Sequence, residues 1–310
     1  MRAIVAQEFG TADVLQLREV AKPTPKDDEI LVNVIATTVS AGDIRMRSLD
    51  VPLLFWLPAR LTLGFTKPKN PIYGMELAGN VEAVGKNISR FKAGDAVFAS
   101  TLAEKFGAHA EYKCLPEDGL VLPKPRNMSY EEAAAVPIGG PTALRLLRKG
   151  NIQRGQKVLI YGASGSVGTY AVQLARHYGA EVTGVSSAAN AEMVKSLGAD
   201  RVLDYTKADF SAKLERYDAI FDTVGKFPKS LIAQALAPDG RYESIAKLNT
   251  KQSLEELSTM KELIEADAIK AVIDRRYPLE QTAEAHRYVE AGHKKGNVII
   301  TVAANGRGQE

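Results

Sequence analysis

The stretch that decides the fold is KVLIYGASGSVG, residues 157–168. A short apolar run, 157–161, leads into a glycine-rich loop, and YAVQLARHYG then follows with the apolar spacing of a helix. The loop has the A-x-G-x-x-G form of the dinucleotide-binding fingerprint, in which the middle glycine lets the backbone approach a pyrophosphate at the helix N-terminus. The last glycine of that fingerprint lets the helix pack closely on the strand. We therefore predict dinucleotide binding by Ala163, Ser164, Gly165, Ser166, Val167 and Gly168.

The alternation of strands and helices continues after this stretch. Apolar runs at 181–186, 201–205 and 218–225 are each followed by a helical pattern, and RYESIA at 241–246 closes the series. Strands and helices that alternate at these lengths predict right-handed βαβ crossovers and a doubly wound parallel sheet. A capping box at Ser253 and Glu256 then predicts a helix running toward Ala268.

The two ends of the chain have a different pattern. Before about residue 120, short apolar or alternating runs such as ILVNVIATTV (30–39) are separated by turns, which predicts a β-rich domain. A capping box at 129–132 opens the nucleotide-binding part, and the tail returns to strands at 271–274 and 297–302. We predict a β-rich domain formed by 1–125 plus 269–310, with a nucleotide-binding domain, 126–268, inserted into it.

Length and composition limit the possible functions. A chain of 310 residues suits two domains, and 45% hydrophobic with 25% charged residues is typical of a globular protein. The 40 basic and 37 acidic residues are scattered, so no nucleic acid is expected. The single cysteine, Cys114, excludes an intramolecular disulfide. MRAIVAQEFG lacks a signal sequence, so we expect a cytoplasmic protein. We interpret the apolar segment Val51 to Leu63 as a surface lid or entrance in preference to a membrane anchor.

The second predicted strand indicates which dinucleotide is bound. An NAD site has an acidic residue about 20 residues past the glycines, whereas this strand ends Gly184-Val-Ser-Ser187 with no carboxylate before Glu192. A neutral, hydroxyl-bearing turn accommodates a 2′-phosphate, which predicts NADPH as the cofactor. Lys195 could add a charge, although it could equally be a solvated helix residue. The predicted contacts at this end are Ser186, Ser187, Lys195 and Tyr205.

Several segments together resemble one family. GMELAGNVEAVG (74–85), EEAAAVPIGGPTA (131–143), VLIYGASGSVG (158–168), YDAIFDTVG (217–225) and AEAHRYVEAGHKKGNVIITV (283–302) are similar to zinc-free medium-chain dehydrogenases/reductases of the quinone oxidoreductase, or zeta-crystallin, type. The resemblance implies a GroES-like catalytic domain with an inserted Rossmann domain, and NADPH as cofactor. It also implies a cofactor contact at Val224.

The resemblance also bears on metal binding. The alcohol dehydrogenases of this family hold zinc through cysteines and the histidine of a G-H-E motif, but here those segments read Ser40-Ala-Gly-Asp43 and Gly74-Met-Glu76. The four-cysteine structural loop is missing as well. The histidines have no metal-ligand spacing; they are His109, His177, His286 and His293. We expect no zinc and no metal-binding residue.

Without a metal, hydride transfer to a quinone or an α,β-unsaturated carbonyl is favoured, because the developing negative charge delocalises. By resemblance the 51–65 segment and Arg45 line the cleft, together with three predicted catalytic residues, Asp43, Tyr73 and Thr142. Thr142 matches the family threonine near the nicotinamide, and it could also be a helix N-cap. Asp43 orients the ribose or relays a proton, or else stabilises a turn. Tyr73 is a proton donor or a packed aromatic.

A second function class is kept beside the enzyme, namely an NADPH-binding protein with weak or no turnover. It follows from a departure from the family, because the chain has no room after 246 for the roughly 30 residues of another βα unit. The Rossmann sheet is therefore predicted to lack its sixth strand, which in the family helps to form the dimer. We expect a monomer or a dimer formed through another surface, a small-molecule substrate, and no membrane insertion.

Overall fold

The computed structural model describes residues 1–50, 56–57, 60–61, 63–248 and 251–302. By compactness the chain divides into two units, of which the first is Met1–Pro137 with the chain from Ile273 onward. The second unit is Ile138–Val272. The sequence predicted domain boundaries after residues 125 and 268. Each lies a few residues before the corresponding division, after Pro137 or after Val272, and both boundaries remain predictions. The predicted lid, Val51 to Leu63, lies largely outside the described residues.

Strands and helices are numbered here in chain order. The strands are β1 (Arg2–Ala6), β2 (Leu15–Glu19), β3 (Glu29–Val39), β4 (Glu76–Val84), β5 (Ala96–Ser100), β6 (Tyr112–Pro116), β7 (Val121–Pro123), β8 (Lys157–Tyr161), β9 (Glu181–Ser186), β10 (Arg201–Asp204), β11 (Tyr217–Asp222), β12 (Leu236–Ser244), β13 (Ile273–Pro278) and β14 (Asn297–Thr301). The helices are α1 (Ala41–Ser48), α2 (Tyr130–Ala134), α3 (Gly139–Gly150), α4 (Ser166–His177), α5 (Ala191–Ser196), α6 (Lys229–Ala235), α7 (Leu254–Glu265) and α8 (Thr282–Glu290). Within the described ranges no helix has the length and apolarity needed to cross a membrane.

The first unit is built on a largely antiparallel sheet. Its strand order is β13-β14-β3-β4-β5-β7, with β6 also paired to β3, and β1 and β2 form a separate antiparallel pair. The predicted long strand at 30–39 is confirmed as β3. The strand expected at 271–274 begins later, at Ile273, and pairs in parallel with β14. The capping box predicted at Ser129 and Glu132 is present at the start of α2.

The second unit is a parallel sheet with the strand order β10-β9-β8-β11-β12. The predicted apolar runs form β8, β9, β10 and β11; β8, β9 and β11 each supply a run of buried side chains, whereas the edge strand β10 buries only Leu203. The helix expected after β10 was wrong, since the structure has only a short 3₁₀ turn at Ser211–Lys213. Instead the Asp204 carboxylate accepts hydrogen bonds from the Thr206 amide and hydroxyl, at 3.0 and 2.8 Å, which favours a turn.

One edge of this sheet is β12, and the other is β10. In the described part of the chain β12 pairs only with β11, and a 3₁₀ turn at Ile245–Lys247 follows it. The capping box of Ser253 and Glu256 then opens α7, as predicted. Residues 245–248 and 251–253 contain no further strand, so the expected absence of a sixth strand agrees with the structure there. Arg145 of α3 donates to Glu256 at 2.8 Å, a largely buried ion pair that holds α7 on the unit.

Candidate functional site

The glycine-rich loop joins β8 to α4 in the second unit. β8 ends at Tyr161, Gly162 turns the chain with a φ of +80°, and α4 begins at Ser166. The N-cap residue of α4 is Gly165, in an extended conformation with φ −80° and ψ 177°. Because glycine has no capping side chain, the first turn of α4 presents its backbone N–H groups and the positive end of the helix dipole. This end of α4 is therefore suited to binding an anion.

The two fingerprint glycines are needed for different reasons. A Cβ added to Gly168 would lie 2.0 Å from the carbonyl oxygen of Gly162, so the protein's own backbone excludes any side chain there. A Cβ added to Gly165 would meet only that same oxygen, at an ordinary 3.4 Å. Nothing in the described chain therefore requires glycine at 165. The space above Gly165 fits a pyrophosphate approaching the backbone, and Gly168 fits the close packing that the sequence predicted.

Sequence reasoning missed a supporting layer under this loop. A Cβ on Gly162 would lie 2.4 Å from a methyl group of Val224, so the loop and the predicted cofactor contact Val224 are packed together. The Thr223 hydroxyl donates to the carbonyl of Tyr161 at 2.8 Å. The buried carboxylate of Asp222 accepts from the amides of Val224, Gly225 and Phe227. The signal was the acidic residue that directly follows the apolar run Ala219–Phe221 at the end of β11, which the sequence analysis did not weigh.

The predicted 2′-phosphate residues lie where β9 and β10 end. The two strands pair in parallel with Ser186 opposite Asp204, and the Tyr205 amide donates to the Ser186 carbonyl. This brings Ser186, Ser187 and Tyr205 together at the carboxyl-terminal ends of these two strands. Ser186 is buried, and its hydroxyl donates to the carbonyl of Ser187. Lys195 instead pairs with Glu192 at 3.0 Å on α5, the position of a solvated helix residue.

Thr142 lies on α3, whose N-terminus packs on that of α4. A Cβ added to Gly139 would lie 2.7 Å from the Ser166 hydroxyl and 3.2 Å from the Tyr170 ring. The alternative interpretation of Thr142 as an N-cap was wrong, because Ile138 occupies that position and the Thr142 amide already donates to the Ile138 carbonyl. Thr142 is partly exposed in the first turn of α3, near the glycine loop.

Asp43 lies in the first unit and is fully engaged there. It is the third residue of α1, is buried, and completes a capping box with Ser40. One carboxylate oxygen accepts from the Ser40 amide and hydroxyl at 2.9 and 2.6 Å. The other accepts from the Gly74 amide at 3.1 Å, so Asp43 also joins two distant segments. These contacts favour the turn-stabilising interpretation of Asp43.

Tyr73 is buried in the same unit, where it lines a cavity of about 10 Å³ with Phe9, Met46, Leu63, Pro68, Asn70 and Phe106. Burial raises the pKa of its phenol to about 12, although the nearby Arg47 lowers it and Asp43 adds to the rise. No described group hydrogen-bonds the buried hydroxyl. A phenol with so high a pKa gives up a proton reluctantly, and these features favour the packed-aromatic interpretation.

The residues at the family's zinc position do not suit the metal. The Ser40 hydroxyl lies 3.9 Å from the Met75 sulfur, and both oxygens of Asp43 are already used. The Glu76 carboxylate is buried and accepts from the Thr38 hydroxyl at 2.6 Å. Zinc prefers cysteine, histidine and free carboxylate ligands. Across the described residues, no group of three or more histidine, cysteine, aspartate or glutamate side chains is placed to hold a metal ion.

Comparisons with known proteins agree with this architecture. Residues 26–126 match the alcohol dehydrogenase GroES-like domain family, and residues 166–274 match the zinc-binding dehydrogenase family. The chain is 32% identical to 2-methylene-furan-3-one reductase from Solanum lycopersicum, over 97% of this chain and 79% of that protein. It is 31% identical to human quinone oxidoreductase, over 94% of each. The Arabidopsis thaliana NADPH-dependent alkenal/one oxidoreductase is 30% identical, over 97% and 79%.

Solved structures give the same result. The quinone oxidoreductase from Coxiella burnetii superimposes with a TM-score of 0.82 at 26% identity, covering 98% of this chain and 99% of that one. A β-rich unit interrupted by a parallel α/β unit with a glycine loop is the architecture that this chain shares with these oxidoreductases. The chain belongs to the medium-chain dehydrogenase/reductase family, in its quinone oxidoreductase-like branch. The predicted GroES-like plus Rossmann fold class is confirmed.

Proposed function

We propose that this oxidoreductase uses NADPH to reduce a quinone or an α,β-unsaturated carbonyl without a metal ion. The observation that carries the proposal is the contrast between the two loop glycines: Gly168 is fixed by internal packing, whereas only a ligand would require glycine at 165. The names of the relatives support the acceptor class, since they include enone, alkenal and quinone reductases.

Three groups of residues would hold the cofactor. The loop of Ala163, Ser164, Gly165, Ser166, Val167 and Gly168 takes the pyrophosphate at the N-terminus of α4. Ser186, Ser187 and Tyr205 meet at the sheet edge that receives the adenosine ribose, where neutral hydroxyls accommodate a 2′-phosphate. Val224 packs on the loop at Gly162, Thr142 lies in the first turn of α3, and we assign the nicotinamide end of the cofactor to these two residues. NADPH supplies a hydride when bound, and the chain's contribution is to hold and orient it.

The reaction needs one hydride and one proton for each acceptor molecule. The hydride adds to the β-carbon of an enone or to a quinone. The resulting enolate or hydroquinone anion then takes a proton. Asp43 accepts three hydrogen bonds and Tyr73 holds its proton tightly, so neither is suited to donate it. We assign the proton to solvent. A delocalised anion makes this feasible without a metal to polarise the carbonyl.

The test is steady-state oxidation of NADPH with a panel of quinones, enones and matched saturated aldehydes, beside a fluorescence titration of NADPH. Turnover with the conjugated acceptors and not with the saturated ones is expected. The second function class, a binding protein with weak or no turnover, is favoured by the hydrogen bonds that occupy Asp43 and by the burial and high pKa of Tyr73. Tight NADPH binding without turnover across the panel would establish that class instead.

A further inference from the structure

The loop after β11 folds around the side chain of the residue that ends that strand. Asp222 is buried, and one of its carboxylate oxygens accepts from the amides of Val224 and Gly225 at 3.0 and 2.8 Å. The other oxygen accepts from the Phe227 amide at 2.9 Å. Three backbone amides therefore share one carboxylate, and the 223–227 loop takes its shape from that side chain.

The same carboxylate connects the loop to the edge strand β12. The Tyr242 hydroxyl donates to the second carboxylate oxygen of Asp222 at 3.0 Å, and the Ser244 hydroxyl lies 3.4 Å from that oxygen. A Cβ added to Gly225 would lie 3.2 Å from the Ala246 side chain, so the loop and the turn after β12 are also in close contact. β12 is therefore joined to the loop through Asp222, in addition to its backbone pairing with β11.

The 223–227 loop also contacts the glycine-rich loop. The Thr223 hydroxyl donates to the Tyr161 carbonyl at 2.8 Å, and a Val224 methyl group lies against Gly162. Val224 is nevertheless 39% exposed, so part of its side chain is free to contact a ligand. The loop thus presents an apolar side chain beside the predicted pyrophosphate site, at a position that Asp222 determines.

We propose that Asp222 is a positioning residue for the nicotinamide end of the cofactor. Its carboxylate holds the 223–227 loop so that Val224 contacts the nicotinamide, while the adenosine end, where β9 and β10 end, does not depend on it. The inference rests on the proposed function, because that function assigns Val224 to the nicotinamide end. It adds a role for the edge strand β12, whose Tyr242 hydroxyl reaches the cofactor site through Asp222.

An amide in place of the carboxylate cannot satisfy this set of donors. In Asp222→Asn the side-chain oxygen replaces only one of the two carboxylate oxygens, and an NH₂ group replaces the other. In one orientation the NH₂ group faces the amides of Val224 and Gly225, and in the other it faces the amide of Phe227. At least one buried N–H group loses its acceptor in either case, so the loop should shift to find another.

The two ends of the cofactor can be tested separately by isothermal titration calorimetry. Adenosine 2′,5′-bisphosphate carries the adenosine ribose and the 2′-phosphate without the nicotinamide, whereas NADPH carries both ends. Asp222→Asn should weaken NADPH binding roughly tenfold and leave the affinity for the bisphosphate unchanged, because the nicotinamide contact alone is displaced. Tyr242→Phe removes one donor and should give a loss of the same kind, about threefold.

Glu256→Gln is the matched control, since Glu256 is another buried carboxylate of the second unit and pairs with Arg145 instead of the 223–227 loop. It should lower the melting temperature without changing the ratio of the two affinities. If Asp222→Asn does not fold, the same ratio in Tyr242→Phe decides. Equal losses of both affinities, or no loss of either, would overturn the positioning role while NADPH binding by the parent protein stands. A parent protein that binds neither ligand would overturn the proposed function, and this inference with it.

Discussion

Substituting the two loop glycines one at a time distinguishes a glycine that the packing of the loop requires from a glycine that the bound ligand requires. In Gly165→Ala the new methyl group has 3.4 Å to its nearest atom and the backbone φ of −80° suits any residue, so the free energy of unfolding should change by less than about 1 kcal/mol. In Gly168→Ala the methyl group would lie 2.0 Å from a backbone oxygen, and α4 must move by more than an ångström. We expect a loss of about 3 kcal/mol, the upper end of overpacking costs.

The assay combines thermal melting with NADPH titration for both variants and for Gly165→Val. Gly168→Ala should melt roughly 6–12 °C below the parent protein, whereas both substitutions at 165 should melt close to it. Gly165→Val should nevertheless abolish NADPH binding, because its side chain fills the space for the pyrophosphate, and Gly165→Ala should weaken binding less. Unchanged NADPH affinity in a folded Gly165→Val protein would refute the assignment of the loop.

Three further predictions follow from the sites described above. Ser187→Asp should reverse the cofactor preference from NADPH to NADH, with roughly tenfold weaker NADPH binding through repulsion of the 2′-phosphate; Ser196→Asp on α5 is the matched control, and equal affinities in the parent would contradict the assignment. Burial, with smaller effects of His109 and Arg47, holds the pKa of His286 well below 6.5. The folded state therefore keeps this ring neutral while the unfolded state gains a proton, so stability should fall by up to about 1.4 kcal/mol per pH unit below pH 6.5. His286→Phe should remove that part of the acid sensitivity in denaturant melts and the exposed His293→Phe should not; an identical pH profile in both would argue against it. Chelator treatment should change neither melting temperature nor turnover, and metal analysis should find less than about one zinc per chain, so stoichiometric zinc would place the chain in another branch.

The parallel sheet was predictable because its evidence is local. Each of β8, β9, β10 and β11 is a short apolar run bounded by turn residues, and the capping boxes at Ser129 and Ser253 are read directly from spacing. The close packing at Gly168 also followed from the pattern, whereas the role of Gly165 at a pyrophosphate stays a prediction. The helix expected after β10 was wrong because the Asp204 side chain, whose partner is two residues away, stabilises a turn that hydrophobic periodicity does not reveal.

The candidate site was less predictable, because it depends on contacts between distant segments. The sequence left Asp43 and Tyr73 each with two interpretations, and burial together with the Gly74 amide, 31 residues away, favours the structural ones. Thr142 could not be placed either, because the pattern does not show that α3 begins at Gly139, which makes Ile138 the N-cap. Asp222 escaped notice in part because one of its partners, the Tyr242 hydroxyl, lies 20 residues away on β12.

The central claim is metal-independent hydride transfer from NADPH to a conjugated acceptor. It is tested most directly with NADPH deuterated at the hydride-donating carbon, chelator-treated protein, and mass spectrometry of a reduced enone. The account predicts deuterium at the β-carbon of the enone and a hydrogen from solvent at the α-carbon. Product without deuterium, or deuterium transfer that appears only after zinc is restored, would contradict it.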